Sequence, residues 1–368
     1  MAKLVQYALA LAIVAIGLWF YNVHFFATIL GLCFLIFFHE LGHFAAAKLY
    51  GVGVLRFSIG FGSLLYEKSI KGTKYQIAAL PLGGFVQIKG QGDEEGENFP
   101  GLSYKDLSPL KKLVILFAGP FANLLLAFLL YLGIGFFGFS ALSPEVGGFS
   151  ENSAAKGSLQ EGDLIVKING SSIYAWNDIK PALKTEAMDF VLLRNNEPLE
   201  LKITPKLQMG LNDFGQERLI PMLGISSTTK IITVKVPMSG LFSYATKESM
   251  RASTLIIKGL AKLVTGEIHP SNLSGIITMG DITSKAAKIG LSTFCTILAL
   301  ISINLGLLNL LPLPPLDGGH MAATFYELLR GKEAPERLYN GLAYLGMSLL
   351  LCLMLYASFN DIARLLAQ

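Results

Sequence analysis

Long apolar stretches constrain this chain more than any other feature of its sequence. A helix needs about 20 mostly apolar residues to cross a bilayer, and a backbone in lipid must satisfy its hydrogen bonds internally. The chain contains five such stretches: Leu4–Val23, Phe25–Leu49, Leu113–Phe139, Leu291–Leu313 and Leu342–Phe359. We therefore expect a polytopic α-helical membrane protein in which residues 1–23 form an additional N-terminal membrane segment. The first stretch also fits a signal peptide, but no convincing cleavage site follows it.

The composition excludes two broad classes of protein. Charged residues make up 15% of the 368 residues and apolar residues 52%, and the mean hydropathy is +0.52. Soluble domains carry about 25% charged residues, so neither an ordinary soluble enzyme nor a disordered chain is expected. The net charge of +4 arises from mixed acids and bases, which gives no reason to expect a nucleic-acid partner. Cys33, Cys295 and Cys352 lie in apolar runs and predict neither disulfides nor a cysteine metal site.

Basic residues predict how the spans are oriented. The segment after the second stretch is rich in them: Lys48, Arg56, Lys68, Lys71, Lys74, Lys89, Lys105, Lys111 and Lys112. Because cytoplasmic loops of membrane proteins carry an excess of Lys and Arg, we expect this side to be cytoplasmic. The long segment from about residue 140 to residue 290 is then expected on the opposite, extracytoplasmic side of the membrane. The flanking segments, 24–139 and 291–368, are two halves of a membrane core.

The outer segment has strand-like alternation and turns that distinguish it from its flanks. Its run Gly162-Asp-Leu-Ile-Val-Lys-Ile-Asn-Gly170 predicts a strand that enters a tight turn, and it resembles a PDZ-domain signature. We expect an inserted, β-rich, extracytoplasmic PDZ domain at 143–206, followed by a linker at 207–290. The linker contains an amphipathic helical pattern at Val236–Leu263. This helix either packs on the protein or lies in the membrane interface.

The run His39-Glu40-Leu41-Gly42-His43 carries the strongest chemical signal. Residues four apart share one face of a helix, so both imidazoles can reach one ion while Glu40 stands beside it. Imidazole suits zinc, and a carboxylate that is not a ligand can take a proton from water activated by the metal. Ionisable side chains are costly within an apolar span and indicate function there. The sequence therefore predicts a Zn²⁺ site at His39 and His43 with Glu40 as the catalytic base.

Zinc needs a third protein ligand, and Asp317 is the best candidate. It ends the run Asn309-Leu-Leu-Pro-Leu-Pro-Pro-Leu-Asp317, whose prolines break the helix at the end of an apolar span. Irregular backbone at membrane depth is tolerated where it lines a cavity. Asp317 before Gly-Gly also fits a helix N-cap or a turn. Of the other histidines, His24 and His269 are expected on the opposite side, whereas His320 stays open as a ligand.

Together these motifs resemble the site-2 protease family of intramembrane zinc metalloproteases, in particular its regulator-of-sigma-E protease branch. Further runs similar to the family are Arg56–Gly62, Pro81–Val86, Ala118–Asn123, Leu273–Gly275 and Asn304–Asn309. The resemblance implies that His39, His43 and Asp317 bind Zn²⁺ and that Glu40 is the general base. It also implies that Asn309 holds the substrate backbone near the scissile bond. The chain departs from this branch in its single PDZ run and its extra N-terminal stretch.

A transmembrane substrate keeps its amides in helical hydrogen bonds, so cleavage requires a locally extended segment. Between residues 54 and 90 the sequence alternates and contains glycines, including Gly60 and Gly62, which predicts β-hairpins. The family resemblance supports hairpins that re-enter the membrane. An exposed strand edge would pair with the unwound substrate by strand addition, with Gly60 and Gly62 in the substrate site. Alternatively, the hairpins plug the site against lipid.

The leading hypothesis is an intramembrane zinc metalloprotease that cleaves transmembrane segments of single-span proteins already trimmed outside. The resemblance implies a bacterial inner-membrane protein, an active site near the cytoplasmic side, and regulated intramembrane proteolysis of an anti-sigma factor or of remnant signal peptides. The PDZ domain would bind an exposed C-terminus or exclude substrates with intact ectodomains. The alternative is a membrane PDZ scaffold whose structural zinc site is closed by a fourth ligand such as His320.

Overall fold

The computed structural model describes residues 23–91, 99–212, 214–268 and 274–366. Residues 1–22 of the predicted N-terminal segment, His269 and Leu273 lie outside the described residues. The described chain divides into two units. One contains the residues up to Tyr131 and from Thr246 onward, and the other contains Leu132–Ala245.

Helices make up most of the first unit, and a single-turn α-helix, Ile179–Ala182, lies in the second. In chain order the α-helices of the described residues are α1 (Val23–Leu49), α2 (Pro109–Phe137), α3 (Ile179–Ala182), α4 (Met238–Val264), α5 (Ile276–Ile289), α6 (Leu291–Asn309), α7 (Asp317–Arg330) and α8 (Glu336–Leu366). Four of them, namely α1, α2, α6 and the Tyr339–Leu366 part of α8, are long and apolar enough to cross a membrane. They confirm the polytopic membrane character that the apolar stretches predict.

Prolines and a glycine explain where the helices near Asp317 end. α6 stops at Asn309 because prolines follow at positions 312, 314 and 315, and proline neither donates a backbone hydrogen bond nor fits within a helix. α7 begins at Asp317 and is closed by Gly331, whose φ of 65° is the left-handed conformation common after helices. Asp317 therefore lies between an irregular segment and the first turn of a helix.

Two long strands form one bent antiparallel hairpin in the region predicted to contain β-hairpins. They are β1 (Val54–Ile70) and β2 (Thr73–Ile88). Residues 54–59 of β1 pair on one side with residues 84–88 and on the other side with residues 74–77. The segment 84–88 is therefore an outer edge of this sheet, and no other described strand pairs with it.

Glycines produce the bend of the hairpin, and aromatic rings attach it to α1. Gly60 and Gly62 have φ values of 89° and 84°, which side-chain-bearing residues rarely adopt. The chain can therefore turn at this point, where β1 changes its pairing partner. The ring of Phe57 lies 5.7 Å from that of Phe37 and 5.2 Å from that of Phe44, both on α1. These edge-to-face contacts hold the first part of β1 against the helix.

The second unit is rich in β-structure, as the alternation predicts. Its strands are β3 (Phe139–Leu142), β4 (Val146–Phe149), β5 (Leu164–Ile168), β6 (Ser171–Ser172), β7 (Met188–Arg194), β8 (Glu197–Ile203), β9 (Lys206–Leu211), β10 (Glu217–Met222), β11 (Ile225–Ser227) and β12 (Ile231–Val234). The largest sheet has the antiparallel order β6-β5-β7-β8. The remaining pairs are β3 with β12, β4 with β11, and β9 with β10.

The run Gly162–Gly170 forms a strand followed by a turn. β5 ends at Ile168, and the positive φ values of Asn169 and Gly170, 47° and 76°, reverse the chain. Alternating residues of the neighbouring strand β7, namely Met188, Phe190 and Leu192, are buried in the core of this unit. A period of two with one buried face is the expected pattern for such a strand.

The segment predicted to be a linker, 207–290, differs from the structure in its first part. It contains β9 to β12, and the second unit continues to Ala245 instead of ending near residue 206. β11 and β12 pair with β4 and β3, which precede them by a long stretch of chain. Pairing between distant segments leaves no local sequence signal, which explains the difference. α4 occupies the place of the predicted amphipathic helix, Val236–Leu263.

Candidate metal centre

Two histidines of α1 converge on one point. His39 and His43 are about one helical turn apart, and their Nε2 atoms lie 3.2 Å from each other. His39 is only 7% exposed and belongs to a helix of membrane-crossing length. Two nitrogen lone pairs at this distance repel each other unless a proton or a cation lies between them. The two nitrogens can therefore share one proton or one cation.

The carboxylate of Asp317 completes the group. Its Oδ2 lies 3.1 Å from Nε2 of His39 and 3.5 Å from Nε2 of His43. One donor atom from each of the three residues lies within 4.8 Å of the others. Catalytic zinc sites use such sets of three nitrogen and oxygen donors and leave the fourth position to water or substrate. The donor chemistry and spacing of this His-His-Asp group fit a zinc ion.

Glycines permit the close helix packing that brings the donors together. A side chain at Gly119 of α2 would overlap the imidazole of His43, and one at Gly42 would overlap the backbone of Ala118. Small residues allow helix backbones to approach closely within membranes. A side chain at Gly318 would likewise overlap the backbone of the irregular segment before α7. The positions of His43 and Asp317 thus depend on neighbours that lack side chains.

Hydrogen bonds at the outer nitrogens orient both imidazoles. Nδ1 of His43 lies 2.8 Å from the carbonyl oxygen of Ile115, which can only accept. Nδ1 of His43 therefore donates, and its Nε2 presents the lone pair to the group. Nδ1 of His39 lies 3.1 Å from the side-chain amide of Asn123. Partners at the outer nitrogen typically fix the orientation of histidines that bind metals.

A cavity of about 320 Å³ opens on this group. The His-His-Asp group, Glu40 and residues 85–88 of the strand edge contribute to its lining. The carboxylate of Glu40 lies near the backbone N–H of Val86 at this edge. An acid, a metal-type donor set and a strand edge therefore face the same space.

Two residues considered from the sequence lie near the group in different ways. Nδ2 of Asn309 is 3.4 Å from Nε2 of His39, so its amide faces the donor atoms. His320 has a separate partner, since the hydroxyl of Tyr339 lies 2.8 Å from its Nδ1. His320 is not a member of the metal-type group found among the described residues. The structure therefore offers no support for a closed structural site in which His320 is the fourth ligand.

Other predicted positions lie elsewhere. Gly60 and Gly62 form the bend of the hairpin, and the cavity beside Glu40 is lined by residues of other segments. His24 belongs to the first turn of α1, whereas His39 lies in its last turns. The structure thus brings together the two histidines and the acid of the His-His-Asp group, Glu40 and Asn309, but not the two glycines.

A buried ion pair near the centre has no clear sequence signal. Nζ of Lys112, in the first turn of α2, lies 3.0 Å and 3.2 Å from the carboxylate oxygens of Glu327 on α7. Lys112 is 5% exposed. From the sequence it belongs to a basic segment at the membrane surface, where a lysine normally extends into water. The pair ties α2 to the helix that carries Asp317.

The sequence model of peptidase family M50 matches residues 27–353 of the chain. The chain belongs to peptidase family M50. Two similar proteins carry the name "Putative zinc metalloprotease". The one from Campylobacter jejuni is 49% identical over 98% of this chain and 99% of its own length. The one from Helicobacter pylori is 36% identical over 93% of this chain and 100% of its own length. The regulator of sigma-W protease RasP from Bacillus subtilis is 28% identical over 90% of this chain and 96% of its own length.

These similarities confirm the resemblance to the site-2 protease family. The protein is a metalloprotease of the membrane, and two of its relatives are named zinc metalloproteases. The His-His-Asp group is a set of donors that could hold such an ion. The family match covers both halves of the first unit, so the segments that carry the histidines and Asp317 both belong to the matched region.

Proposed function

We propose that the protein is an intramembrane zinc metalloprotease that hydrolyses peptide bonds within transmembrane segments. Its substrates are single-span membrane proteins that have already been trimmed outside the membrane. One observation carries the proposal: three metal-type donors and a neighbouring acid meet at a cavity, and both histidines belong to an apolar helix long enough to cross a bilayer. Ionisable groups in such a helix are costly and are retained for function.

The residues of the centre have distinct proposed roles. His39, His43 and Asp317 hold the zinc ion. When bound, zinc supplies Lewis-acid chemistry, which polarises a peptide carbonyl and makes water a better nucleophile at neutral pH. Glu40 is the general base: its carboxylate takes a proton from the attacking water and delivers it to the leaving amine. Glu40 lines the same cavity as the three proposed zinc ligands, so its carboxylate is close to the reacting groups.

The strand edge beside Glu40 is the proposed platform for the substrate. A substrate helix must unwind before its amides become accessible, and its freed backbone groups then need partners. Residues 84–88 pair with β1 on one side, and no described strand pairs with them on the other side. This open side can supply the partners by strand addition. Asn309 lies within hydrogen-bond reach of the donor group and is proposed to hold the substrate backbone near the scissile bond.

The hairpin is proposed to re-enter the membrane. Phe61, Leu64, Tyr66 and Leu80 are all at least 44% exposed, which is unfavourable in water and favourable in lipid. Gly60 and Gly62 would then serve the substrate site indirectly, because they bend the hairpin so that its two halves share one sheet. A hairpin in this position would also shield the site from lipid.

The second unit is proposed to contain an extracytoplasmic PDZ domain around residues 143–206. The strand and turn of the run Gly162–Gly170 and the sheet β6-β5-β7-β8 support this interpretation. The domain would exclude substrates with intact ectodomains or bind a newly exposed C-terminus. Basic residues in the segment after α1 support a cytoplasmic location for the active-site end of that helix, in a bacterial inner membrane.

Regulated intramembrane proteolysis is the proposed process. The substrate would be an anti-sigma factor or a remnant signal peptide. The name of the Bacillus subtilis relative, regulator of sigma-W protease, favours the first class.

Replacing Glu40 with glutamine tests the proposed reaction. The purified variant should retain zinc and cleave a single-span model substrate in detergent about 10²–10⁴-fold more slowly, the usual contribution of a general base. Glu333→Gln, a change at an exposed acid outside the cavity, is the matched control and should cleave normally. Cleavage by Glu40→Gln at the wild-type rate would refute the assignment.

A further inference from the structure

His39 is held differently from His43 at its outer nitrogen. A neutral imidazole has one protonated nitrogen and one lone pair. If Nε2 of His39 binds a metal, its Nδ1 must carry the proton and needs a hydrogen-bond acceptor. The group beside Nδ1 is the side-chain amide of Asn123, at 3.1 Å. Asn123 is therefore the residue that can decide which nitrogen of His39 is available.

The amide of Asn123 can serve either tautomer of His39. Asn123 is fully buried, and its Oδ1 has no hydrogen-bond partner while its Nδ2 faces Nδ1 of His39. That arrangement suits a His39 whose proton is on Nε2 and directed at Asp317. Rotation of the amide by half a turn brings Oδ1 to the same place, because the two ends have nearly the same shape.

We propose that Asn123 is a positioning residue for zinc: its Oδ1 accepts a hydrogen bond from Nδ1 of His39 and leaves Nε2 free to bind the metal. The inference rests on the proposed metal centre. His43 supplies a precedent in the same site, since its Nδ1 donates to the neutral carbonyl oxygen of Ile115. Both histidine ligands would then be oriented by neutral oxygen atoms of α2.

The surroundings of Asn123 suit this role. Its backbone carbonyl oxygen accepts a hydrogen bond of 2.8 Å from Oγ of Ser302, which joins α2 to α6 at this residue. This bond anchors the backbone of Asn123 without engaging its side-chain amide. An asparagine adds no negative charge next to His39, whereas an aspartate would bury a second carboxylate within an apolar span. The neutral amide therefore orients His39 at a lower cost in desolvation.

Zinc affinity measured by competition with a chromogenic chelator, on the full-length protein in detergent, tests the proposal. Asn123→Ala should weaken zinc binding by about 10- to 100-fold, the usual effect of removing an outer partner of a metal ligand. Asn123→Asp keeps an acceptor at Nδ1 and should bind zinc at least about tenfold more tightly than Asn123→Ala. Asn304→Ala is the matched control. It also removes an amide from an apolar span, but among the described residues Asn304 makes no hydrogen bond to either histidine.

The measurement separates positioning from general packing. Asn123→Leu keeps a side chain branched at the same carbon but cannot accept a hydrogen bond, so it should lose zinc affinity even if truncation to alanine prevents folding. The unfolding temperature of each metal-free variant reports packing alone and should not follow zinc affinity. Unchanged affinity in Asn123→Leu, or equal losses in the Asp and Leu variants, would overturn the inference. A wild-type protein that binds no zinc would instead overturn the proposed function, and the inference with it.

Discussion

Replacing Gly119 with alanine tests whether the packing of α2 against His43 sets the geometry of the metal centre. The new Cβ would overlap Nε2 of His43 and lie 2.5 Å from its Cε1, whereas ordinary contacts begin at 3.4 Å. The imidazole would have to retreat by at least about 0.9 Å, several times the ±0.2 Å within which metal–ligand distances are held. One of the three donors would thus leave its place.

The structure also sets the expected size of this effect. Overpacking of a closely packed site costs about 1–3 kcal/mol. If the free energy of zinc binding falls by that amount, zinc affinity falls by about 5- to 150-fold. Chelator competition on the purified protein measures it, together with cleavage of a model substrate. The matched control is Gly133→Ala, which makes the same change in the same helix with nothing within 4 Å of the new Cβ. Equal zinc affinities of the two variants would refute the reasoning.

Two further predictions concern ion pairs. Nζ of Lys112 lies 3.0 Å from the carboxylate of Glu327, and Lys112→Met leaves that carboxylate without its partner. We expect this change to lower the free energy of unfolding in denaturant by about 3 kcal/mol. Adding Glu327→Leu in a double variant should restore most of the lost stability. If the double variant is no more stable than Lys112→Met, the unpaired carboxylate of Glu327 does not cause the loss of stability. Burial disfavours the charge of Asp163, but hydrogen bonds from Arg194 and the N–H of Gln160 outweigh burial and hold the pKa of Asp163 below its ordinary value. Its stabilising effect is therefore complete above the ordinary pKa of about 3.9 and is lost as the pH falls through the lower folded value. Asp163→Asn should lower the unfolding temperature by about 5 °C at pH 7 and by much less below about pH 3. A difference in unfolding temperature between the two proteins that does not depend on pH would contradict this reasoning.

Local periodicity explains the parts of the fold and site that sequence reasoning predicts. The described apolar stretches are long helices because a run of about 20 apolar residues has few other stable structures. His39, Glu40 and His43 are predictable as a unit because the spacing within one helix fixes their common direction. The strand and turn of Gly162–Gly170 follow from alternation and from two residues that tolerate positive φ.

Non-local pairing explains what sequence reasoning misses. The second unit extends to Ala245 because β11 and β12 pair with strands that begin before residue 150, and alternation within a strand does not name its partner. The sequence predicts a place for Gly60 and Gly62 in the substrate site, and their bend in the hairpin appears only in the structure. From the sequence Lys112 is expected at the surface, and only the packing of α7 places Glu327 beside it.

The sequence by itself determined that the chain spans a membrane and contains a zinc-type motif with an acid beside it. Both conclusions depend on short-range order, namely the length of apolar runs and the pitch of one helix. Only the tertiary structure decided that Asp317 reaches both histidines, that a strand edge faces Glu40, and that Asn123 lies at the outer nitrogen of His39. These contacts depend on how closely separate helices and strands approach one another, and that distance is set by packing around residues such as Gly119.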